Sequence, residues 1–104
     1  MSTTADILQR HLDALAAGDL EGLLADYADD AVMISPAGAI SGMDALRKTF
    51  ERTTANPPKI EEDGRVVEGD YAYIVWHNER ISFGTDTFVV RDGKIVCQTV
   101  ALKP

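Results

Sequence analysis

The stretch TDTFVVRDGKIVCQTVAL, residues 85–102, predicts a β-hairpin and decides the layout of the second half of the chain. Asp92-Gly93 is the strongest turn signal in the sequence, because a type I′ turn needs positive φ at both central positions and this residue pair tolerates it. We therefore expect one strand at residues 85–91 and another at residues 94–102, running antiparallel.

Two further strands are predicted upstream of this hairpin. Residues 71–81 are rich in aromatic and β-branched side chains, which favours a central strand. Residues 59–67 are more polar and predict an edge strand, with Gly69-Asp70 as the turn between the two. Phe83-Gly84 marks the reversal into the hairpin. The second half is therefore predicted to be an antiparallel meander.

The first half of the chain predicts helices. Residues 5–17 place apolar side chains on one helical face, with Thr3 or Thr4 as the N-terminal cap and Gly18 as the end signal. Asp19 is expected to cap a second helix. The apolar face of that second helix comprises Leu20, Leu23, Leu24 and Tyr27.

A short apolar strand and a third helix complete the first half. Asp29-Asp30 ends the second helix, and residues 31–35 predict the strand. Ser41-Gly42-Met43-Asp44 resembles a capping box, so we expect the third helix to begin there and to run to about Thr54. Helices followed by an antiparallel sheet indicate a single α+β domain over residues 1–104.

Composition and charge exclude several classes of protein. The chain has 104 residues, a formal net charge of −7 and a pI near 4.6, which argues against nucleic acid or anionic membranes as partners. No apolar run approaches the ~18 residues of a membrane span, and the N-terminus lacks the features of a signal peptide. Cys97 is the single cysteine, which excludes an internal disulfide. We therefore expect a cytoplasmic protein.

Three polar side chains fall at positions predicted to face the core. His11 lies within the apolar stripe of the first helix, and Asp86 shares a strand face with Phe88. Gln98 lies on the inward face of the last strand. Because an unpaired buried polar group costs roughly 1–3 kcal/mol, each of the three needs a partner or a function.

Each of the two titratable groups has two interpretations. His11 is either hydrogen-bonded to a backbone carbonyl or is an acid/base in a pocket, because its ordinary pKa near ~6.5 suits proton transfer. Asp86 either caps the turn after Gly84 or is a desolvated carboxyl. In the second case its raised pKa keeps it protonated and able to donate a hydrogen bond.

Spacing decides less about the remaining candidates. Ser35 either lines the same hollow or is an ordinary loop residue before proline. Periodicity leaves open whether His77 or Trp76 faces inward, since both faces of that strand are apolar. Cys97 falls on the outward face of the last strand together with Ile95, and it is interpreted as a small hydrophobic residue.

No metal or cofactor is expected. His11 and His77 lie far apart in the sequence, and no His-x-Asp, His-x-x-x-His or Cys-x-x-Cys spacing occurs. The sequence also has neither a glycine-rich phosphate loop nor a Gly-x-Ser-x-Gly motif.

Several of these segments resemble the nuclear transport factor 2-like (NTF2-like) superfamily, which includes the SnoaL-like polyketide cyclases and the ketosteroid isomerases. HLDALAAGDL at residues 11–20, YADDAV at 27–32 and residues 36–42 resemble its N-terminal signature. The pair Asp86-x-Phe88 and Asp92-Gly93-Lys94-Ile95 resembles its C-terminal strands. The resemblance covers nearly the whole chain. It implies a cone-shaped, cystatin-like α+β fold, with helices on a curved antiparallel sheet that encloses an apolar cavity.

The resemblance to the ketosteroid isomerases carries over to only part of their catalytic machinery. Asp86 matches the protonated aspartate of their oxyanion hole, a case of a carboxylic acid kept neutral by an apolar site. His11 falls where those enzymes carry the oxyanion-hole tyrosine, and Ser35 replaces their base aspartate. The chain also lacks the Asp, Arg, Asp set of the limonene epoxide hydrolases. The resemblance is therefore closest to short SnoaL-like proteins of undetermined activity.

Three functions fit a short SnoaL-like protein. The first is an enzyme for a small apolar carbonyl compound, in which Asp86 and His11 are catalytic in isomerisation or in lyase- or cyclase-type proton transfer. The second is a non-catalytic module that binds such a ligand, and the third is a dimeric interaction domain without a ligand. A homodimer through the outer sheet face is implied by the resemblance. The residues expected to line the cavity are Tyr27, Ser35, His77, Phe88 and Gln98.

Overall fold

Three helices pack on one face of a six-stranded sheet in the computed structural model, which describes residues 2–104. In chain order the elements are α1 (Thr4–Ala17), α2 (Leu20–Ala25), β1 (Tyr27–Ser35), β2 (Gly38–Ser41), α3 (Met43–Ala55), β3 (Glu61–Glu68), β4 (Tyr71–His77), β5 (Phe83–Arg91) and β6 (Lys94–Lys103). Within residues 2–104, no helix has the length and apolar character needed to cross a membrane.

The sheet is mixed, whereas the sequence predicted an antiparallel one. Its strand order is β2-β1-β6-β5-β4-β3. Strands β3 to β6 form the antiparallel meander that was expected, but β1 runs parallel to β6. The reason is the crossover through α3, which carries the chain from β2 to the far edge at β3, so that the meander returns to β1 from the other side.

Capping explains where the first helix begins and ends. Thr3 and Asp6 form a capping box, with Asp6 N donating to Thr3 Oγ1 at 3.1 Å and Thr3 N donating to Asp6 Oδ2 at 3.0 Å. Gly18 ends α1 in the left-handed region at φ +65°, as predicted. A Cβ there would lie 2.9 Å from Thr54 O, so glycine also permits the close approach of α3.

Two predicted boundaries in the first half are wrong. The capping box expected at Ser41–Asp44 does not form, because Gly42 is the N-cap of α3 at φ +89° and no side chain caps the helix. Tyr27 does not lie on the second helix, since α2 ends at Ala25 and Tyr27 begins β1 opposite Ile95. Both aspartates of Asp29-Asp30 therefore lie within the strand, on its exposed part.

The hairpin that decided the sequence-based layout is present. Asp92 and Gly93 have φ of +51° and +74°, the two positive values that a type I′ turn requires. A β-bulge follows it, because Val90 pairs with Ile95 while Val89 pairs with Cys97, which leaves Val96 as the additional residue.

This bulge corrects the predicted faces of β6. Strict alternation placed Ile95 on the face opposite Gln98, but both side chains are buried on the inner face of the sheet. Cys97 does lie on the outer face, as alternation predicted, and pairs there with Val89.

The core lies between the helices and the inner face of the sheet. It joins apolar residues of all three helices to those of β1, β4, β5 and β6. Its largest fully buried side chains are Phe88, Ile7, Leu8, Leu23, Leu46, Ile74 and Ile95.

Candidate functional site

Asp86 is a buried carboxyl group at the centre of the inner sheet face. Its direct cross-strand partners are Ile74 on β4 and Val100 on β6. Its diagonal neighbours on the same face are Trp76 and Gln98. Long side chains can bridge the distance between diagonal positions of a sheet. Trp76 Nε1 donates to Asp86 Oδ1 at 2.9 Å, and Gln98 Nε2 donates to Asp86 Oδ2 at 2.8 Å. Each carboxyl oxygen therefore has its own N–H donor.

A glycine in the neighbouring position allows Trp76 to reach this carboxyl. Trp76 pairs across the strands with Gly84. A Cβ on Gly84 would lie 2.5 Å from Cε2 and 2.6 Å from Cζ2 of the indole, which is closer than real Cβ contacts. The indole ring thus occupies the space that any other residue at position 84 would fill.

Tyr27 extends the polar network toward the helices. Its hydroxyl group donates to Gln98 Oε1, while the amide nitrogen of Gln98 is used by Asp86. A chain of hydrogen bonds therefore runs from Tyr27 through Gln98 and Asp86 to Trp76. All four side chains are buried, and they come from four different strands, β1, β6, β5 and β4.

His11 stands beside this network on α1, with 4% of its surface exposed. Its ring lies edge-on to three aromatic rings, with centroid distances of 4.9 Å to Phe88, 6.0 Å to Tyr27 and 6.4 Å to Phe50. Among the buried side-chain nitrogens and oxygens of residues 2–104, the atom without a hydrogen-bond partner is His11 Nδ1. One of the two interpretations from sequence was a hydrogen bond between His11 and a backbone carbonyl. Nδ1 makes no such bond.

Burial sets the charge of His11. Removal of the imidazole from water lowers its pKa to about 4, and the carboxylate of Asp26 opposes that effect only in part. The ring is therefore neutral near neutral pH, with one nitrogen able to donate a hydrogen bond and the other able to accept one.

Burial acts on Asp86 and Tyr27 in the other direction. Desolvation raises the pKa of Asp86 above its ordinary value, while the hydrogen bonds from Trp76 and Gln98 favour the charged form and oppose the increase. Desolvation, together with the nearby carboxyl of Asp86, raises the pKa of Tyr27 well above its usual range. The tyrosine hydroxyl therefore keeps its proton and acts as a donor.

The structure does not bring His77 to this cluster, and its assignment to a cavity wall is wrong. Ala72, Ile74 and Trp76 face inward on β4, so alternation turns His77 outward. Its Nδ1 lies 2.7 Å from Asp63 Oδ2 and its Nε2 lies 2.8 Å from Glu61 Oε2. The hydrogen bond to Asp63 and the two carboxylates raise the pKa of His77 above its ordinary value.

Ser35 also lies apart from the network. It is the last residue of β1, and its hydroxyl oxygen accepts a hydrogen bond from the backbone N–H of Ala37 at 3.2 Å. This is the loop geometry that the sequence left open as an alternative. Of the predicted lining residues, the structure places Tyr27, Phe88 and Gln98 around Asp86 and His11.

The cluster is nearly closed to solvent. None of three surface clefts in the described part of the chain is lined by His11, Asp86 or Gln98. Tyr27 contributes to one of them, a cleft between α2, α3 and the start of β1. Within residues 2–104, no group of three histidine, cysteine or carboxylate side chains is arranged to hold a metal ion.

Sequence reasoning missed two charged residues next to the cluster. Asp26 is 8% exposed, and its carboxylate pairs with Arg10. Periodicity could not reveal this pair, because it joins α1 to the residue that follows α2.

The helices packed on one face of a curved mixed sheet match the α+β fold of NTF2-like proteins. The sequence model of the SnoaL-like domain family matches residues 8–98, and the chain belongs to this family. This agrees with the resemblance that the sequence motifs suggested.

Solved structures of this class are similar along nearly the whole chain. An NTF2-like protein of unknown function from Burkholderia xenovorans is 26% identical, with a TM-score of 0.83 over 96% of this chain and 82% of that one. A putative polyketide cyclase from Sinorhizobium meliloti is 23% identical, with a TM-score of 0.80 over 91% and 93%. SalBIII, an epoxide hydrolase/cyclase-like enzyme of pyran ring formation in salinomycin, is 15% identical, with a TM-score of 0.85 over 96% and 90%.

Proposed function

We propose that this SnoaL-like protein binds a small, mostly apolar carbonyl compound between α1 and the inner sheet face. The observation that carries the proposal is the buried Nδ1 of His11, a hydrogen-bonding atom without a partner beside the network of Asp86. A buried polar atom left unpaired is costly, and a ligand hydroxyl or carbonyl would satisfy it. The aromatic rings around His11 suit the apolar part of such a ligand.

The same groups support proton-transfer chemistry on that ligand. A neutral imidazole can donate to a carbonyl oxygen, and donors that are fixed in a dry site stabilise the negative charge of an enolate. The carboxyl of Asp86, with its raised pKa, is suited to supply or hold a proton. The proposed reaction is therefore an isomerisation or a lyase- or cyclase-type step that proceeds without a cofactor.

The similar structures support this class of reaction. The protein from Sinorhizobium meliloti is described as a putative polyketide cyclase, and SalBIII as an epoxide hydrolase/cyclase-like enzyme. Ser35 stands where the ketosteroid isomerases carry their base, so the proposal does not extend to steroid isomerisation by their mechanism.

Ligand binding is tested by thermal unfolding with 1-tetralone, cyclohexanone and δ-valerolactone as probes. We expect at least one probe to raise the Tm of the unaltered chain and of Asp30→Asn, an exposed carboxyl on β1 that serves as the matched control. Asp86→Asn should lose most of this increase, because its amide disturbs the network that frames the site. An equal increase in both variants would remove Asp86 from the site, and no increase with any probe contradicts the proposal.

Catalysis is tested separately with the same probes. Exchange of the α-protons of a bound ketone for deuterium, followed by NMR, detects enolate formation without knowledge of the natural product. Exchange that depends on Asp86 and His11 supports the enzyme, whereas binding without exchange indicates a ligand-binding protein of the same fold.

A dimeric interaction module is the second candidate function, and the outer sheet face favours it. Val66 and Tyr73 form an exposed cross-strand pair there, with Tyr71 and Ile34 also exposed. Apolar patches of this kind are typical of protein interfaces. Sedimentation equilibrium tests the candidate: a dimer supports it, and a monomer at high micromolar concentration contradicts it.

A further inference from the structure

Arg10 and Asp26 form a two-pronged ion pair at the edge of the candidate site. Arg10 Nη2 donates to Asp26 Oδ1 at 2.7 Å, and Arg10 Nε donates to Asp26 Oδ2 at 3.1 Å. The carboxylate side is nearly buried, whereas 47% of the arginine side chain is exposed. Paired parallel hydrogen bonds of this type fix relative orientation as well as distance.

Each partner immediately precedes a residue of the polar and aromatic cluster. Arg10 precedes His11 on α1, and Asp26 precedes Tyr27, the first residue of β1. Asp26 is itself held on the sheet, because its backbone oxygen accepts from the N–H of Ile95 at 2.7 Å. The ion pair therefore ties one turn of α1 to a fixed point of the sheet, one residue away from both rings.

His11 depends on its surroundings for its position. Its Nδ1 makes no hydrogen bond, and its ring meets Tyr27 edge-on at 6.0 Å with an interplanar angle of 63°. A small rotation or shift of α1 would change the position of the His11 ring, because Nδ1 has no hydrogen bond that would hold the ring in place. The nearby ion pair between Arg10 and Asp26 resists this movement of α1 instead.

We infer that Arg10 and Asp26 are positioning residues of the candidate site, whose ion pair sets where the His11 ring stands relative to Tyr27. This inference rests on the proposed function, because the position of His11 matters for a ligand only if a ligand binds there. Asp26 has a second effect through its charge, which favours the protonated form of His11 and so opposes the desolvation of the ring.

The experiment compares Arg10→Lys and Asp26→Asn with Arg47→Lys. Arg47 makes an equally two-pronged pair with Glu21 at 2.6 and 3.1 Å, but this pair joins α3 to α2 and its carboxylate side is exposed. It is therefore a matched control. Three quantities are measured: the nuclear Overhauser contacts between the His11 and Tyr27 rings, the pKa of His11 by NMR, and the affinity for 1-tetralone.

We expect Arg10→Lys to weaken the His11–Tyr27 contacts, because lysine cannot form the two parallel hydrogen bonds that a guanidinium group makes. The pKa of His11 should stay near that of the unaltered chain, because lysine keeps the positive charge. Asp26→Asn should weaken the contacts and also move the titration of His11 to lower pH. Both variants should bind 1-tetralone about tenfold more weakly, because misplaced groups lose much of their effect. Arg47→Lys should change none of the three quantities.

The outcomes separate this inference from the proposed function. Unchanged ring contacts in a folded Arg10→Lys protein overturn the positioning role, as does an equal loss in Arg47→Lys. Arg10→Lys decides the matter if Asp26→Asn does not fold. Failure of the unaltered chain to bind any of the three probes counts against the proposed function, whereas the ring contacts still decide whether the ion pair positions His11.

Discussion

Asp86 shows how burial and hydrogen bonding act on one carboxyl group in opposite directions. Removal from water raises its pKa, while the N–H groups of Trp76 and Gln98 favour the ionised form. The balance lies on the side of a raised pKa. Each oxygen accepts one hydrogen bond and keeps a second lone pair, so either oxygen can take a proton, but its hydrogen bond to Trp76 or Gln98 is then weaker. The state of Asp86 is therefore coupled to the arrangement of its two neighbours.

The raised pKa of Asp86 predicts that the stability of the chain depends on pH. A carboxyl whose folded pKa lies above its unfolded value binds its proton more tightly in the folded state, so its contribution is fully present below the ordinary value and is lost as pH rises through the folded pKa. As pH rises from the ordinary pKa of a carboxyl to the folded pKa of Asp86 and beyond, the free energy of unfolding of the unaltered chain should therefore fall relative to that of Asp86→Asn. The decrease is at most about 1.4 kcal/mol per pH unit.

Urea unfolding from about pH 4 to about pH 8 measures this difference, since the other titrating groups cancel between the two proteins. The free energy of unfolding of Asp86→Asn should also differ by an amount that does not depend on pH, because its amide offers one acceptor oxygen to the two donors, Trp76 and Gln98. Asp30→Asn should run parallel to the unaltered chain. Parallel profiles for Asp86→Asn as well would show that Asp86 has the same pKa in the folded and unfolded states.

The two histidines illustrate the same competition with opposite results. His11 is desolvated among aromatic rings and has its pKa lowered to about 4. His77 is exposed between two carboxylates and has its pKa raised. Both residues were candidates from sequence, and their environments, which depend on tertiary contacts, separate their roles.

At the scale of elements, the pairing of β4 with β5 holds the polar network in place. Trp76 can lie across β5 because Gly84 has no side chain, and from there its Nε1 reaches Asp86 two residues further along. The sequence predicted a reversal at Phe83-Gly84, whereas both residues lie within β5. An isolated glycine inside a strand is typical of close approach by another group, which here is the indole ring.

Gly84→Ala should therefore destabilise the chain by about 1–3 kcal/mol, since the new methyl group overlaps the indole ring. The displaced ring should also lose its hydrogen bond to Asp86. Trp76 is the single tryptophan, so its fluorescence reports the displacement directly, alongside the urea midpoint.

Gly64→Ala on β3 is the matched control. A Cβ at that position meets no atom within 4 Å, so its effect should stay within about 0.5 kcal/mol. Equal stabilities for the two variants, or an unchanged tryptophan spectrum in Gly84→Ala, would contradict the close packing of Trp76 on Gly84.

Element boundaries mark where local patterns stop being sufficient. The hairpin turn at Asp92-Gly93 was predictable because it depends on the φ preferences of two residues. The bulge at Val96 was not, and one additional residue moved Ile95 to the opposite face from the one that alternation predicts. Tyr27 was assigned to a helix because its spacing from Leu23 and Leu24 also fits one, whereas pairing with β6 makes it a strand residue.

At the scale of the whole molecule, net charge and the outer sheet face act against each other. Each chain carries a formal charge of −7, so two copies repel at low ionic strength. The exposed aromatic and aliphatic side chains of β3 and β4 offer an apolar surface for association. Salt screens the repulsion but leaves the apolar contribution in place.

If the chain dimerises through this face, added salt should strengthen the dimer. Tyr73→Lys should weaken it by about tenfold or more, which corresponds to about 1.4 kcal/mol, because it places a charge at the centre of the patch. Sedimentation equilibrium at low and high NaCl measures both effects. Ala17→Lys, an exposed position at the end of α1, adds the same charge elsewhere and should leave the dimer intact. Equal weakening in both variants would place the interface elsewhere.

The sequence by itself determined the class of fold, the three helices, the meander and the inward faces of His11, Asp86 and Gln98. These follow from local φ preferences and from periodicity, which neighbouring residues encode. The tertiary structure alone decided the parallel pairing of β1 with β6, the outward turn of His77 and the ion pair of Arg10 with Asp26. Each of these depends on contacts between residues that are far apart in the chain, and single-sequence patterns carry no record of such contacts.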